Sequence, residues 1–246
     1  MQRNPFVKAF NIYPVGGSML TVSFGNAIDS EINKKVFQLY HKVVKARHPS
    51  WVDIIPAYST LSIVYDAVAI RQQHPSAFDW VKSEVEKLLA EVCDQEAIQS
   101  RQVRVPVCYD LEFALDADRF LQERNISLAE LIDIHTSKSY QVFMIGFLPG
   151  FAYMGSVDER IALPRISTPR THVAAGSVGI AGEQTGIYPL DSPGGWNVIG
   201  RSPLKVFDLN ANSPVLFQPS DQVKFVPITK SQFQSFDQST FNVIVS

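Results

Sequence analysis

Residues 182–203, "GEQTGIYPLDSPGGWNVIGRSP", constrain the fold more than any other stretch of this chain. Gly182, Gly186, Gly194, Gly195 and Gly200 argue against a helix, because each interior glycine costs roughly 1 kcal/mol relative to alanine. Pro189, Pro193 and Pro203 add positions that cannot donate a backbone hydrogen bond. A slack linker is equally out of character, since Ile187, Tyr188, Trp196 and Ile199 are not linker residues. The stretch reads as an element folded around backbone turns.

Its surroundings share that character. From Tyr140 onward, "YQVFMIGFLPGFAYMG", "GSVGIAG", "VIGRSPLKVFD", Val215 to Gln218 and Val223 to Val226 read as short strands between Gly and Pro turns, the pattern of a barrel or a compact sandwich. The first half is different. A β-prone run at Met19–Phe24 precedes a helix capped by Asp29 or Ser30, with Ile32, Val36, Leu39, Tyr40 and Val43 on one face and His48-Pro49 closing it. Period two then takes over from Trp51 to Asp66, with Leu61, Ile63 and Tyr65 on one side and Pro56 interrupting an earlier strand. A second helix after His74-Pro75 carries Phe78, Val81, Val85, Leu88, Leu89 and Val92. The order β-α-β-β-α predicts an α+β sandwich, helices on one face of an antiparallel sheet.

At 246 residues two domains are expected, with the polar run Asp94 to Arg101 between an amino-terminal domain over 1–95 and a second domain over 101–246. Beyond the boundary, Val103, Val105, Val107 and Tyr109 alternate as a strand, and Ser127-Leu-Ala-Glu130 forms a capping box for a helix through Leu131, Ile132 and His135. A net charge of −2 and no Lys/Arg run argue against a nucleic-acid partner, whose phosphates demand a basic face. The start of the chain lacks a signal-peptide apolar stretch and nothing has membrane-span length, so no membrane role and a cytoplasmic location are expected. Cys93 and Cys108 read as reduced thiols outside any zinc spacing, and no metal site is expected.

Standard catalytic signatures are missing. No P-loop is present, and Gly176, Gly179 and Gly182 suit a tight β-turn better than a phosphate cradle. Ser177 is one glycine out of register for a nucleophile elbow. His41, His48 and His74 read as surface or helix-end residues, while His135 and His172 stay open. In "LPRISTPRTHVAAG" Arg165 and Arg170 each follow a proline. They either recognise an anion with a stiffly supported guanidinium fork or are loop arginines, solvated or paired with Asp158, Glu159 or Asp191. "GFLPGFAYMG", with Phe147, Phe151 and Tyr153, is either the apolar floor of a pocket or a corner of the core. Tyr153 and Tyr188 have polar tips suited to lining a site, and Gln184 and Thr185 either present an amide and a hydroxyl or cap a turn.

The run from "HTSKSYQVFMI" through "GFLPGFAYMG", "LPRISTPRTHVAAGSVGIAGEQTGIYPLDSPGGWNVIGRSPLKVFD" resembles the family of the 5-oxoprolinase B subunit, also called the sporulation-kinase inhibitor KipI and allophanate hydrolase subunit 1 family. The strong match covers about residues 132–208, and Ile55 to Leu61 and Val105 to Asp110 extend it over nearly the whole chain. The resemblance implies a cyclophilin-like β-barrel as the second domain, without implying prolyl isomerase activity. It implies a polypeptide that acts with the A and C subunits of 5-oxoprolinase, uses ATP shared with a partner, and opens 5-oxo-L-proline to L-glutamate. A regulatory inhibitor of histidine kinase autophosphorylation, or a component acting on allophanate or another urea-derived amide, are the alternative roles it carries.

The family motif falls on His135, the Gly146–Gly155 turn, Arg165, Arg170, Gly176-Ser177, Gln184-Thr185-Gly186, Tyr188, Ser192 to Trp196 and Gly200-Arg201. From it, His135, Arg165, Arg170, Gln184, Thr185 and Arg201 are expected to bind substrate. Phe147, Phe151, Tyr153, Ser177, Tyr188 and Trp196 are expected to line the pocket. No residue is assigned a catalytic role. Ala174 departs from the family's usual Pro, which removes a φ lock, and Ser202 stands for the common Thr. On this reading 182–203 forms a barrel-edge loop presenting Gln184, Thr185 and Arg201 beside Arg165 and Arg170, with Trp196 as its anchor.

Overall fold

The apolar stripes of the first half and the alternating strands of the second build separate cores. The computed structural model describes residues 10–46, 48–91, 100–240 and 244–245, and its chain divides into two compact units, Met1–Ile98 and Gln99–Ser246. The boundary run up to residue 99, together with Val92 and Cys93, lies outside the described residues.

In the first unit, strands β1 (Asn11–Val15), β2 (Met19–Ser23), β3 (Trp51–Pro56) and β4 (Thr60–Tyr65) form an antiparallel sheet in the order β1-β2-β4-β3. Leu20, Val22, Leu61, Ile63 and Tyr65 form its buried face. Against them pack Val36, Leu39 and Val43 of α1 (Ser30–Ala46) and Val81, Val85 and Leu89 of α3 (Ala77–Ala90). Asp29 starts α1 by accepting the Ile32 N–H at 2.9 Å, and Ser76 caps α3. Two elements differ from the sequence expectation. Strand β1 is exposed at most positions and contains Pro14, so it shows no alternation to read, and a proline is tolerated because β1 is an edge. Pro56 ends the opposite edge strand rather than interrupting it. The short α2 (Ala67–Arg71) is a single turn held by Asp66, which accepts from Val68 and Ala69.

The second unit is a closed barrel of seven strands. Its order is β12 (Asn197–Arg201), β9 (Ser177–Ala181), β10 (Gln184–Ile187), β7 (Ala152–Gly155), β6 (Tyr140–Ile145), β13 (Gln222–Ile228) and β5 (Arg101–Cys108). Pairing of Arg201 with Cys108 closes it, and the β5–β13 pair is parallel. Strand β14 (Ile244–Val245) pairs with the other end of β5, and β8 (Arg170–Val173) pairs with β11 (Ser192–Gly194) outside the barrel. Val103, Val105, Val107, Tyr140, Val142, Met154, Val178, Ile180, Ile187, Ile199, Val223 and Phe225 fill the core, which Phe120 of α4 (Ala117–Arg124) and Leu131 of α5 (Leu128–Thr136) complete.

The capping box of Ser127 and Glu130 starts α5 as expected. Helix α4 and the short α6 (Lys230–Gln234) leave no stripe in the sequence, because α4 buries only Ala117 and Phe120 and α6 buries nothing. Val215 to Gln218 does not form a strand, and Val215 makes a single bridge to Phe207. Gly176 and Gly182 do stand in turns at the two ends of β9, with φ +83° and +58°, but the residues between them are strand rather than turn. Gly179 sits inside β9, where a Cβ would stand 3.0 Å from the Cβ of Trp196. The run 182–203 likewise supplies β10, β11 and β12, so two walls of the barrel replace the expected edge loop.

Candidate functional site

An aromatic cleft opens where the β6–β7 turn meets the segments before and after β11. Phe147, Phe151, Tyr153, Arg165, Tyr188, Gly194, Gly195 and Trp196 line it around a cavity of about 70 Å³. Phe151 is the central ring, meeting Tyr153, Tyr188 and Trp196 edge-on at 4.9, 5.5 and 5.3 Å between centroids. Phe147 meets it from the outside at 5.6 Å, is 64% exposed, and has φ +70°. A bulky residue in the left-handed region is held there against its own steric preference, and such positions cluster at functional sites.

Gly194 is required by the same packing. A Cβ on it would fall inside van der Waals contact of the Tyr188 hydroxyl. Burial raises the Tyr188 phenol, while the Trp196 backbone N–H and the positive charges of Arg165 and Arg170 pull it down. Tyr153 is raised by burial and lowered by Arg165. Both phenols therefore stay protonated at neutral pH.

Arg165 is exposed and makes no ion pair among the described residues. Its backbone is nonetheless fixed on both sides. The Ile166 N–H donates to Gly195 O at 2.8 Å, and the buried Asn197 amide donates to Pro164 O at 3.0 Å and to Ile180 O at 2.9 Å. Sequence reasoning missed Asn197, where only its place beside Trp196 hints at a role. A fixed support with a free guanidinium fork suits a carboxylate or phosphate.

Arg170, five residues on, is occupied. It forms a two-bonded pair with Asp116 at 2.7 and 3.0 Å, and Asp116, nearly fully buried, also accepts the Val198 N–H at 2.7 Å. None of the sequence-adjacent carboxylates takes this role: Asp158 pairs with Arg160, and Asp191 accepts the Ala175 N–H.

His135 and Thr185 are not in the cleft but inside the barrel, fully buried. The Thr185 hydroxyl donates to Gly179 O at 3.0 Å, so it must accept from His135 Nε2, also at 3.0 Å. His135 Nδ1 then accepts from the Tyr109 hydroxyl at 2.8 Å. Burial holds this neutral ring's pKa down to about 3, and Phe225 and Tyr140 stack on it. Every polar atom of this chain of hydrogen bonds is used internally, which leaves His135 and Thr185 holding α5 to β9 and β10. Gln184 is half-buried at the start of β10, opposite Ala181 and Gly155, and Ser177 is buried in β9 opposite Arg201; neither lines the cleft.

Arg201 lines a second pocket, of about 350 Å³, with Ala175, Gly176, Pro189, Ser202, Lys205, Phe233 and Phe236 among its walls. Among the described residues no group of three or more His, Cys, Asp or Glu converges as a metal site, and no helix is long and apolar enough to cross a membrane. Cys108 is buried with a free thiol.

The family model described as carboxyltransferase domain, subdomain C and D, matches residues 10–217. The chain is similar to the 5-oxoprolinase B subunit of Bacillus subtilis (strain 168), with 38% identity over 94% of this chain and 98% of that protein. It is also similar to the 5-oxoprolinase B subunit of Escherichia coli O157:H7, with 33% identity over 87% of this chain and 94% of that protein. Among solved structures, the crystal structure of TTHA0988 superimposes with a TM-score of 0.74 at 33% identity over 85% of this chain. The chain spans 40% of that solved chain.

Proposed function

We propose, from the premise that this chain belongs to the carboxyltransferase subdomain C and D family and stands with its 5-oxoprolinase members, that it is the B subunit of an ATP-dependent 5-oxoprolinase. It acts in the cytoplasm with the A and C subunits, and is inactive alone. Its barrel is cyclophilin-like and its first unit an α+β sandwich, as the family resemblance implies.

The observation that carries the reading is the Arg165 guanidinium, without an ion pair among the described residues, at the edge of the aromatic cleft. 5-Oxoproline presents a carboxylate, a flat apolar ring edge and a lactam. Arg165 takes the carboxylate, Phe151, Tyr188 and Trp196 take the ring, and the protonated phenols of Tyr153 and Tyr188 are the polar groups nearest the lactam. An amide oxygen is a weak nucleophile and an amide carbon a weak electrophile, so the lactam has to be activated. The lactam oxygen attacks the γ-phosphorus of ATP and ADP leaves. Water then adds to the activated carbon and the ring C–N bond breaks, which leaves an acyl phosphate on the freed side chain, and a second water hydrolyses it to release glutamate and phosphate. Positioning and cationic stabilisation are the protein's share of the first step.

Reconstitution with the A and C subunits, following ATP-dependent loss of 5-oxoproline, tests this. Arg165→Gln is expected to raise KM for 5-oxoproline by roughly tenfold to a hundredfold, the loss of one charge-assisted pair. An unchanged KM removes Arg165 from the site. Absence of turnover with kinase inhibition intact would replace the metabolic reading with the regulatory one.

A further inference from the structure

We propose that the pocket around Arg201 and Lys205 binds the polyphosphate of a nucleoside triphosphate, with Phe233 and Phe236 walling the base. The inference rests on the reading above for the identity of the nucleotide, and on the pocket itself for the anion site. Two cations and no carboxylate line it. Neither Arg201 nor Lys205 forms an ion pair among the described residues. Glu112, next to Phe113 in the chain, is not among the pocket's lining residues and pairs with Lys230.

Arg201 is held for this purpose from two sides. Its Nε–H donates to Ala175 O at 2.9 Å, and its guanidinium carbon stands 6.0 Å from the centroid of Phe113. Phe113 packs in turn on Phe233 at 4.7 Å, so the cation and the aromatic wall are parts of one stack. The terminal nitrogens of a guanidinium fixed at Nε form the fork that matches phosphate oxygens, and Lys205 adds a point charge four residues on.

The two cavities divide the work by size and charge. The cleft offers about 70 Å³ and one cation, which suits a small carboxylate. The pocket offers about 350 Å³ and two cations, which suits a larger and more highly charged anion. They flank a single segment: Tyr188 lines the cleft and its neighbour Pro189 the pocket. Nothing in the sequence announces Lys205, since a lone Lys after Pro203 has no recognisable spacing.

Calorimetric titration of the full chain with ATP, inorganic triphosphate and adenosine tests the site without reference to turnover. ATP and triphosphate are expected to bind. Lys205→Gln and Arg201→Gln are each expected to weaken triphosphate by roughly tenfold or more while 5-oxoproline affinity stays at the wild-type value. Lys205 is exposed, so its variant keeps the test valid if Arg201→Gln does not fold. Failure of triphosphate and ATP to bind the chain or its reconstituted complex overturns the inference, as does wild-type affinity in the Lys205 variant. Adenosine binding as tightly as ATP overturns the phosphate assignment. A complex that binds triphosphate but never consumes 5-oxoproline would sink the proposed function and leave this site standing; normal turnover with no effect of either substitution does the reverse.

Discussion

The barrel interior around His135 and the cleft around Arg165 are made of the same materials, aromatic rings with a few polar atoms among them. They end in opposite states. Inside, Tyr109, His135, Thr185 and Gly179 form a closed run in which each donor has an acceptor and burial is complete. At the cleft, Arg165 is exposed without an ion pair among the described residues, and Phe147 is held outward in a conformation that costs energy. Residue type does not separate the two regions. Completeness of partners does, because a buried polar group must be satisfied, whereas one that awaits a ligand is left open towards solvent.

The largest expected effect comes from breaking the satisfied side of this contrast at Asp116. Asp116→Ala leaves Arg170 without its partner and the Val198 N–H without its acceptor, and is expected to cost about 3 kcal/mol in urea denaturation. A loss below about 1 kcal/mol would mean that the pair behaves as a surface salt bridge and that Arg170 is free to serve a ligand.

A somewhat smaller effect follows from acid. His135 is neutral in the fold with its pKa lowered to about 3, while the unfolded chain binds that proton near the ordinary value of 6.5. The unfolded state therefore holds more protons between these values, and stability falls as pH falls through this window, by about 1.4 kcal/mol per unit. Between pH 7 and pH 5 wild-type protein is expected to lose about 2 kcal/mol more than His135→Leu does, measured by denaturation at each pH. Equal losses would show that the ring titrates in the fold and is open to solvent.

These regions are not equally legible in the sequence, for reasons that are local or not. The stripes of α1 and α3, the capping box before α5 and the alternation of β5 depend on neighbours a few residues away, and are readable. Barrel closure between Arg201 and Cys108 and the pairing of Arg170 with Asp116 join distant parts of the chain, so no spacing announces them. The run 182–203 misleads for a different reason. Its glycines read as turns, but Gly186 lies within β10 and Gly200 within β12, where side chains or backbone of neighbouring strands leave no room for a Cβ. Of the site, motif and composition point to the cleft aromatics and Arg165. Asn197, which holds the Arg165 segment, looks like any strand asparagine until its buried contacts are seen.

A third effect probes how tightly the cleft is built. Gly194→Ala forces its Cβ against the Tyr188 ring, and overpacking of this kind costs about 1–2 kcal/mol. The displaced ring should also weaken 5-oxoproline binding. Full stability and full affinity together would show that Tyr188 has room to move, and that the cleft is looser than its edge-to-face packing indicates.

The smallest expected change sharpens the comparison most. Arg165→Gln removes a charge that has no counter-ion among the described residues and leaves untouched the backbone bonds of Pro164 and Ile166 that hold the segment. Its stability is expected to stay within about 0.5 kcal/mol of wild type. Arg170→Gln, changed in the same chemical way five residues along, strands the buried Asp116 carboxylate and is expected to fall well outside that range. Measured side by side in urea, the two variants separate an arginine that the fold needs from one that it merely carries. If Arg165→Gln proves as destabilising as Arg170→Gln, Arg165 has a structural partner in solution, and the cleft loses the free cation on which a carboxylate ligand depends.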